Sequence, residues 1–273
     1  MNNSKIPCSV GILTFNSAKT LGRAIESVKD FQEIVICDGG SSDETLTIAH
    51  KYGAKVINQD AQFKNAKGKV VDFSGVRNQL LANSTMDWFV FIDSDEFFTK
   101  ELCNEIRQIV TAEGPGLVYR MKRKYVYNDK LIEAAISYPN FQIRFFKLKE
   151  VDKFIKPIHE RISFSSDIVV HTLKNHMLVP LEGDVGMMKD KWRNYLKLQR
   201  DFRASANKSK WKVFRVSLVL CLKYSLIYSL RLFRNYTFGF KKNKLPIQIE
   251  LVWYWQYFAA VKNNFVLLFD RGS

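Results

Sequence analysis

This sequence of 273 residues lacks the cysteine spacings that are typical of disulfide frameworks and of zinc sites. Its four cysteines, Cys8, Cys37, Cys103 and Cys221, show no CxxC spacing and stand mostly in apolar segments. Such cysteines are more often buried, reduced thiols than disulfide partners or metal ligands. The cysteine pattern therefore favours a reducing compartment, and we expect a cytoplasmic protein.

The sequence also shows no internal repeat and no low-complexity segment. The N-terminal stretch MNNSKIPCSVGILTFN lacks a charged region followed by a long apolar run, so we expect no signal peptide. No stretch of 18 apolar residues is free of charge, which argues against a membrane-spanning helix. We expect one catalytic domain in residues 1–205 and a basic, aromatic-rich helical region in residues 206–273.

Acidic residues are scarce in the second part of the chain. The sequence carries 42 Lys and Arg against 27 Asp and Glu, but residues 1–110 hold 12 basic and 14 acidic residues. The whole net charge of +15 therefore arises C-terminal to residue 110. A one-sided basic charge indicates a polyanionic partner, either nucleic acid or an anionic membrane surface.

Apolar runs alternate with helical patterns in the first hundred residues. Runs typical of strands cover residues 8–14, 33–37, 55–58 and 88–92, and helical patterns cover 18–29, 45–52 and 75–82. This alternation predicts a parallel sheet, whose ligands bind beyond the carboxyl ends of its strands. Aromatic and basic residues alternate from 117 to 164, which predicts antiparallel strands and hence a mixed sheet.

An acidic motif ends the last of these four apolar runs. The segment WFVFIDSDEFF, residues 88–98, places Asp93, Asp95 and Glu96 directly after a run that we expect to be buried. Taken alone, the motif favours a solvated turn with a helix cap, because acidic side chains are common in such places. Carboxylates at a strand end also suit a divalent ion that neutralises substrate phosphates.

Four motifs in order resemble those of the family 2 glycosyltransferases, which are inverting enzymes of the GT-A fold. They are SVGILTFN, EIVICDGGSSDET, GVRNQLL and, as the DxD motif, FIDSDEFF. The arrangement is particularly similar to bacterial lipopolysaccharide-core and cell-surface polysaccharide transferases. The resemblance implies an α/β protein with a GT-A (Rossmann-like) mixed sheet flanked by helices and a C-terminal amphipathic helical extension. It also implies a hexosyltransferase (EC 2.4) with a nucleotide-sugar donor, such as a UDP-sugar, and a glycan or lipid-linked acceptor.

The resemblance implies roles for residues around the donor. Thr14 and Asn16 would bound the nucleotide pocket, and Asp38 would accept hydrogen bonds from the base or ribose. The family often has a second acid after Asp38, where this chain has Gly39, so the identity of the base stays open. Arg77 would lie near the base or the diphosphate, with an ordinary surface ion pair as the alternative.

The resemblance also implies a metal ion and a general base. Asp93 and Asp95 would hold the ribose and an Mg²⁺ or Mn²⁺ ion. Inverting transfer needs a base that deprotonates the acceptor hydroxyl, and KPIHERISF resembles the HE element of the lipopolysaccharide-core type. Glu160 would then be the base, while His159 would orient it, approach the metal, or be a buried structural histidine.

A later segment, LKNHMLVPLEGDVGMMKDKWRNYLKL, resembles a family region in which a His is followed by Lys and Arg. His176 would be a third metal ligand or a phosphate contact, with His171 as its rival. Lys191 and Arg193 would close over the diphosphate. These two residues suit the solvated face of a helix equally well.

The C-terminal region has the pattern of helices that lie on a membrane. At about 100° per residue, the charges of residues 211–234 fall within an arc of about 160° and leave a broad apolar face. These charges are Lys212, Arg215, Lys223, Arg231 and Arg234. The later segment LVWYWQYFAAVKNNFVLLF is rich in Trp and Tyr, which suit the headgroup region. We expect peripheral binding to the anionic inner face of the cell membrane; packing on the catalytic domain and formation of a homo-oligomer are alternatives.

Two other functions fit parts of the sequence. A nucleotidyltransferase can share the fold and an acidic metal site, but GILTFNSAKTLGR matches its Gly-rich basic loop poorly. A nucleic-acid-binding protein would explain the charge and the 14% of aromatic residues. Because the basic residues stand beside long apolar helices without an RNP-like or zinc-finger pattern, we expect no nucleic-acid partner.

Overall fold

The computed structural model describes residues 4–112, 116–158, 160–205, 209–238 and 243–269, and the side chains of residues 201–205 lie outside that description. His159 is also outside the described residues. The chain divides into two compact units. The first comprises Met1–Lys124 and Pro139–Pro180, and the second Tyr125–Tyr138 and Leu181–Ser273. The division predicted at residues 205 and 206 stays a prediction.

Strands and helices alternate at the start of the first unit, as predicted. The strands are β1 (Ile6–Thr14), β2 (Phe31–Asp38), β3 (Lys55–Asn58) and β4 (Trp88–Asp93), and the helices are α1 (Ala18–Ser27), α2 (Thr45–Lys51) and α3 (Phe73–Ala82). The strands lie in the order β3-β2-β1-β4, and each neighbouring pair is parallel. The intervening helices provide the crossovers that parallel pairing requires.

The strand β4 is buried on both of its faces. Its residues at 88, 90 and 92 pack into one hydrophobic cluster, and those at 89 and 91 pack into another. A strand covered on both faces has a continuous apolar sequence instead of an alternating one. This explains the run WFVFI and leaves the first polar side chain, Asp93, at the carboxyl end of the strand.

The rest of the first unit completes a mixed sheet. Its elements are β5 (Phe97–Phe98), α4 (Lys100–Thr111), β6 (Val118–Tyr127), β7 (Lys130–Leu131), β8 (Phe141–Lys147), β9 (Val151–Ile155), β10 (Arg161–Phe164) and β11 (Val170–Pro180), although β7 and the end of β6 belong to the second unit. Within the described ranges, nine strands form one sheet in the order β3-β2-β1-β4-β8-β6-β11-β5, with β7 beside β6. The strand β8 is antiparallel to β4 and β6, so the predicted mixed sheet is confirmed.

Three long helices make up most of the second unit: α5 (Val185–Ser205), α6 (Lys210–Phe233) and α7 (Ile247–Phe269). Helices α6 and α7 contact each other through aromatic and polar side chains. The rings of Tyr224 and Tyr257 stack with centroids 4.8 Å apart, and Asn264 Nδ2 donates to Ser217 Oγ at 2.6 Å. Within the described ranges, the helix Lys210–Phe238 is long and apolar enough to cross a membrane by length and composition, unlike the expectation from charge-free runs.

The four cysteines all lie within the described ranges and are free. Three of them are buried, and Cys103 is half-buried. Burial raises the pKa of the Cys37 thiol to about 12 and that of the Cys103 thiol to about 12, and the charges of Asp60 and Asp30 raise them in the same direction. These thiols are therefore structural and protonated at neutral pH, in agreement with the cysteine pattern.

Candidate active site

The carboxyl ends of the parallel strands lie level with one another. Leu13 pairs with Asp93 across β1 and β4, and Thr14 pairs with Asp38 across β1 and β2. The pairing of Asp38 with Asn58 extends the same edge to β3. This register brings the polar residues that follow three separate strands to one side of the sheet, as the sequence predicts.

Asp38 is buried and accepts hydrogen bonds on both carboxylate oxygens. Oδ1 accepts from Thr14 Oγ1 at 2.7 Å and Ser41 Oγ at 2.6 Å, while Oδ2 accepts from the backbone N–H groups of Gly40 at 2.8 Å and Ser41 at 2.7 Å. Burial alone would raise the pKa of Asp38, but these bonds outweigh it and lower the pKa. Since a carboxylate has about four acceptor sites, Asp38 holds the loop after β2.

Asn16 ties the loop after β1 to the loop after β2. Its backbone N–H donates to Ser41 Oγ at 2.8 Å, and its Oδ1 accepts from the Ser42 N–H at 2.9 Å. Gly40 has a φ of +94°, a backbone conformation that glycine adopts without strain in a tight turn. Asn16 and Asp38 thus shape the sheet edge, and direct contact of either with a nucleotide stays a prediction.

A cavity of about 510 Å³ opens at this edge. Its lining comes from the ends of β1, β2 and β3, from the loop at residues 67–70 and from the start of α3. Thr14, Phe15, Gly39, Gln59 and Phe73 are among the lining residues, whereas Asp38 is not. A largely apolar cavity with a few polar groups is typical of a small-molecule site.

Arg77 in α3 is buried and bridges two acidic residues. Its Nε donates to Glu160 Oε1 at 2.7 Å, and its NH2 donates to Asp93 Oδ1 at 2.8 Å. Burial lowers the pKa of Arg77, but the negative charges of Asp93 and Glu160 raise it by a larger amount. The guanidinium therefore stays charged. The surface ion pair considered for Arg77 is therefore wrong. Within the described residues, the buried NH1 atom has no hydrogen-bond partner.

A second buried arginine, Arg144 in β8, completes the cluster. Its NH2 lies 3.1 Å from Asp93 Oδ2, and its NH1 lies 3.1 Å from Glu96 Oε2. Glu96 is buried and also pairs with Arg123. Burial raises the pKa of Asp93, but Arg144 and then Arg77 lower it well below its usual range, so Asp93 is ionised.

The sequence predictions missed Glu96, Arg123 and Arg144. A signal for Arg144 exists in the sequence, because it interrupts the apolar strand FQIRFFK and a buried arginine requires a paired carboxylate. The carbon CZ of Arg144 lies 4.6 Å from the centroid of the Phe91 ring, and CZ of Arg77 lies 4.5 Å from it. Phe91 therefore supports both guanidinium groups from within the sheet.

Glu160 and Asp95 both lie in the first unit. The Glu160 side chain is 21% exposed and is oriented by Arg77, so part of the carboxylate can reach a substrate hydroxyl. Asp95 is half-buried in the turn between Asp93 and Glu96. The roles predicted for them, as base and metal ligand, stay predictions.

His176 lies in β11 with a half-buried side chain. Burial lowers its pKa, the positive charges of Lys124 and Lys122 lower it further, and Glu101 opposes them, so the neutral imidazole is favoured. The rival residue His171 packs against Tyr119, with ring centroids 5.6 Å apart. This contact packs the His171 ring against β6, and the choice between His171 and His176 as a ligand stays a prediction.

The three predicted metal ligands do not form a ready cluster. In the part of the chain that the structure describes, no group of three or more His, Cys, Asp or Glu side chains is placed to hold an ion. The set Asp93, Asp95 and His176 is thus not assembled. Mg²⁺ often binds through one or two carboxylates together with substrate phosphates, and the half-buried Asp95 carboxylate fits that smaller requirement.

Lys191 and Arg193 lie on α5 in the second unit. Arg193 is exposed, pairs with Asp190 and lies with its CZ atom 5.5 Å from the Trp255 ring centroid. Lys191 is exposed on the same helix. These contacts fit the solvated helix face that the sequence allowed, and contact with a diphosphate stays a prediction.

Comparison with known proteins identifies relatives of part of this chain. An uncharacterized glycosyltransferase of Rickettsia conorii is 35% identical over 167 residues, which cover 59% of this chain and 56% of the relative. The SPbeta prophage-derived glycosyltransferase SunS of Bacillus subtilis is 35% identical over 100 residues, which cover 36% of this chain and 22% of SunS. The chain thus spans between about a fifth and just over half of these relatives.

Solved structures with a similar fold include S. aureus TarS 1-349 in complex with UDP-GlcNAc, with a TM-score of 0.48 and 18% identity over 93% of this chain and 81% of that one. The family model described as Glycosyl transferase family 2 matches residues 9–165. This match runs from within β1 to just past the end of β10 and includes every residue of the carboxylate and arginine cluster. The mixed sheet with flanking helices and the helical C-terminal region confirm the predicted GT-A fold class. Because the match covers more than half of the sequence, the chain belongs to glycosyl transferase family 2.

Proposed function

We propose that the protein is an inverting hexosyltransferase that uses a UDP-sugar as its donor. One observation carries this proposal: the cavity and the ionised cluster around Asp93 share the carboxyl edge of the parallel strands. The cavity has the size and lining for a nucleoside, and the cluster provides the charges that a sugar diphosphate requires. Family membership favours this function over the nucleotidyltransferase and nucleic-acid-binding alternatives.

The donor would bind with its base in the cavity and its diphosphate toward Arg77. Val76, which precedes Arg77 in α3, lines the cavity. The helix α3 therefore connects the cavity with the cluster around Arg77. The unpaired NH1 of Arg77 would gain a phosphate oxygen as its acceptor. A guanidinium whose other nitrogens are already fixed by Asp93 and Glu160 presents this donor without a further loss of side-chain freedom.

Transfer with inversion follows from a single displacement. The acceptor hydroxyl oxygen forms a bond to the anomeric carbon while the bond from that carbon to the β-phosphate oxygen breaks, so UDP leaves. Glu160 takes the proton of the hydroxyl, and Arg77 holds the Glu160 carboxylate in place through Oε1. Asp93, held between two arginines, would accept hydrogen bonds from the ribose.

A divalent ion, Mg²⁺ or Mn²⁺, would neutralise the negative charge that develops on the leaving diphosphate. Asp95 would hold the ion together with the donor phosphates. The arginines that surround Asp93 keep its own charge compensated, so that Asp95 supplies the carboxylate for the ion.

We expect Asp95→Ala to abolish metal-dependent donor binding. The affinity for UDP in the presence of Mn²⁺, measured by isothermal titration calorimetry, should fall by at least about 100-fold, because losing even a partner of a metal ligand weakens binding by about 10- to 100-fold. Asp87→Ala, at an exposed position directly before β4, is the matched control and should bind normally. Equal, Mn²⁺-dependent affinity of Asp95→Ala and the parent protein would remove Asp95 from the metal site.

We further propose that the acceptor is a glycan or a lipid-linked molecule of bacterial surface polysaccharide or lipopolysaccharide synthesis, used at the inner face of the cell membrane. The apolar face of α6 supports membrane binding because it is exposed. The residues Val219, Leu222, Leu226 and Leu230 are 63%, 64%, 63% and 62% exposed and recur every three or four residues. Tyrosine and amide side chains lie at the contact with α7 instead, and polar contacts between helices are common in membranes.

The basic charge of the second unit matches this surface. Lys212, Arg215 and Lys223 lie on α6, and long basic side chains reach the headgroups while the apolar face enters the lipid. Anionic lipid contributes about 1 kcal/mol for each basic residue near the surface. The occupant we propose is therefore an anionic bilayer, and a homo-oligomer is the alternative to be tested.

We expect the double variant Leu222→Asp, Leu226→Asp to lose membrane binding. Burying a leucine contributes about 1.5–3 kcal/mol, so partitioning into phosphatidylglycerol-rich vesicles should fall by about 100-fold or more in flotation assays. The control Asn104→Asp, Gln108→Asp adds the same charges at the same spacing on exposed positions of α4. Flotation of the leucine variant at the parent level would exclude this face as the membrane contact, and a change only in sedimentation mass would indicate an oligomer.

A further inference from the structure

Gln59, directly after β3, is held at both its backbone and its side chain. Only 7% of the residue is exposed. Its backbone N–H donates to the Asp38 carbonyl at 2.9 Å. Its Nε2 donates to the carbonyl oxygens of Cys37 at 3.0 Å and Thr14 at 3.4 Å. The side chain therefore connects the ends of β1 and β2 and has a fixed position.

These contacts also fix which way the amide of Gln59 points. A carbonyl oxygen only accepts hydrogen bonds, so the atom that faces the Cys37 and Thr14 carbonyls must be the NH₂ group. The oxygen Oε1 is then directed elsewhere, and it is buried without a hydrogen-bond partner in the described ranges of the chain. A buried acceptor that lacks a donor is costly, which makes this atom a point of recognition for a ligand N–H or O–H.

The unpaired oxygen lies beside the cavity. Gln59 lines the cavity together with Gly39 and Phe15. A Cβ atom at position 39 would stand 3.1 Å from Gln59 Oε1 and 3.0 Å from Phe15 Cδ2. Glycine at this position therefore leaves open the space in front of the oxygen. The aromatic rings of Phe15 and Phe73 also line the cavity, and aromatic rings suit contact with a planar base.

We propose that Gln59 Oε1 accepts the N3–H of a uracil-type base and thereby selects the donor nucleotide. The inference rests on the proposed function and assigns one residue of that site. The base edge of uracil presents an N–H donor between two carbonyl acceptors. The single acceptor of Gln59 matches the N–H, and Lys67 and Lys69 at the exposed rim of the cavity supply donors of the kind that the flanking carbonyls require.

The other bases match this arrangement less well. Adenine presents one amino donor beside one ring acceptor, and cytosine presents an amino donor beside two acceptors. Guanine presents two neighbouring donors, of which only one could meet the single acceptor of Gln59, so the other would be buried unpaired. Thymine presents the same N3–H between two carbonyl groups as uracil does. Uridine and thymidine nucleotides are therefore the two kinds of donor that Gln59 would accept.

The decisive probe removes the N3–H from the ligand. We expect the parent protein with Mn²⁺ to bind UDP, and to bind 3-methyluridine 5′-diphosphate about 100-fold more weakly in isothermal titration, because the methyl group removes the donor and faces a buried oxygen. A panel of dTDP, CDP, GDP and ADP completes the measurement. Preference for UDP or dTDP supports the assigned edge, and preference for CDP, GDP or ADP overturns it.

The variant Gln59→Met tests the residue itself. It keeps the length of the side chain but lacks the acceptor, so affinity for UDP should fall by about 10- to 100-fold while the discrimination between UDP and its N3-methyl form disappears. A merely structural role would lower both affinities equally and preserve their ratio. Gln62→Met, at an exposed position three residues later, is the matched control and should retain the parent ratio.

The outcomes separate this inference from the proposed function. Failure of every nucleotide diphosphate to bind the parent protein would reject the proposed function. Binding of UDP with no loss on N3-methylation would reject the role of Gln59 and leave the proposed function intact. Should Gln59→Met not fold, the comparison of the two ligands on the parent protein still decides the question.

Discussion

The variant Glu160→Gln should bind a UDP-sugar with near-normal affinity but turn it over about 10²- to 10⁴-fold more slowly, the usual contribution of a general base. The amide keeps an oxygen that can accept from Arg77 Nε, so the ion-pair partner retains a contact. It cannot take up the proton of the acceptor hydroxyl. Steady-state measurement of UDP release, together with calorimetric donor binding, separates the loss of kcat from a loss of binding.

The control for this variant is Glu44→Gln. Glu44 is exposed before α2, and no side-chain cap is present at that position, so the same chemical change should leave both affinity and kcat unaltered. Retention of more than about a tenth of the parent kcat in Glu160→Gln would exclude Glu160 as the base. A matching loss of donor affinity would instead assign Glu160 to holding Arg77.

The parallel part of the sheet was predictable because its information is local. The strand β3 has the predicted bounds Lys55–Asn58, and β4 extends the predicted run by one residue to Asp93. Continuous apolar runs bounded by turn residues determine such strands, and their alternation with helices determines that they are parallel. The alignment of Asp38 and Asp93 at one sheet edge follows from these two facts alone.

The partners of the acidic motif were not predictable in the same way. Glu96 meets Arg144, which lies 48 residues later in the sequence, only because β8 pairs beside β4. No periodicity reports which strand will be the neighbour, so Glu96 had no predicted role. The register that brings these two strands together is a tertiary property.

The sequence also did not predict which way individual side chains point. The loop residue Gln59 had no predicted role, because the unpaired state of its oxygen depends on the carbonyls of two other strands. The apolar face of α6 was expected from its charge pattern, but the pattern did not decide whether α7 or solvent covers that face. In the structure, Tyr224 and Tyr257 form the contact, and the leucines are exposed.

The cluster around Arg144 predicts the largest effect on stability. Glu96 and Arg144 are both almost fully buried, with side-chain exposures of 1% and 3%. In Arg144→Met, Asp93 would keep its ion pair with Arg77 and Glu96 would keep its ion pair with Arg123, while an apolar side chain fills the space of the guanidinium. Removing one partner of a buried ion pair costs about 3–5 kcal/mol, so the free energy of unfolding from urea titration should fall by that order.

A second substitution distinguishes the lost charge from lost packing. Since replacing both partners of a buried pair can be nearly neutral, Arg144→Met combined with Glu96→Gln should recover more than about half of the stability lost in Arg144→Met alone. Arg120→Met on β6 is the matched control, because Arg120 is exposed and its Nε donates to the uncharged Thr172 hydroxyl, and it should change stability by less than about 1 kcal/mol. If Arg144→Met is no more destabilising than this control, the charge of Arg144 is not needed to stabilise Asp93 and Glu96, and the prediction is wrong. If it is destabilising and Glu96→Gln does not restore stability, the guanidinium acts through its packing against Phe91 and not through its charge.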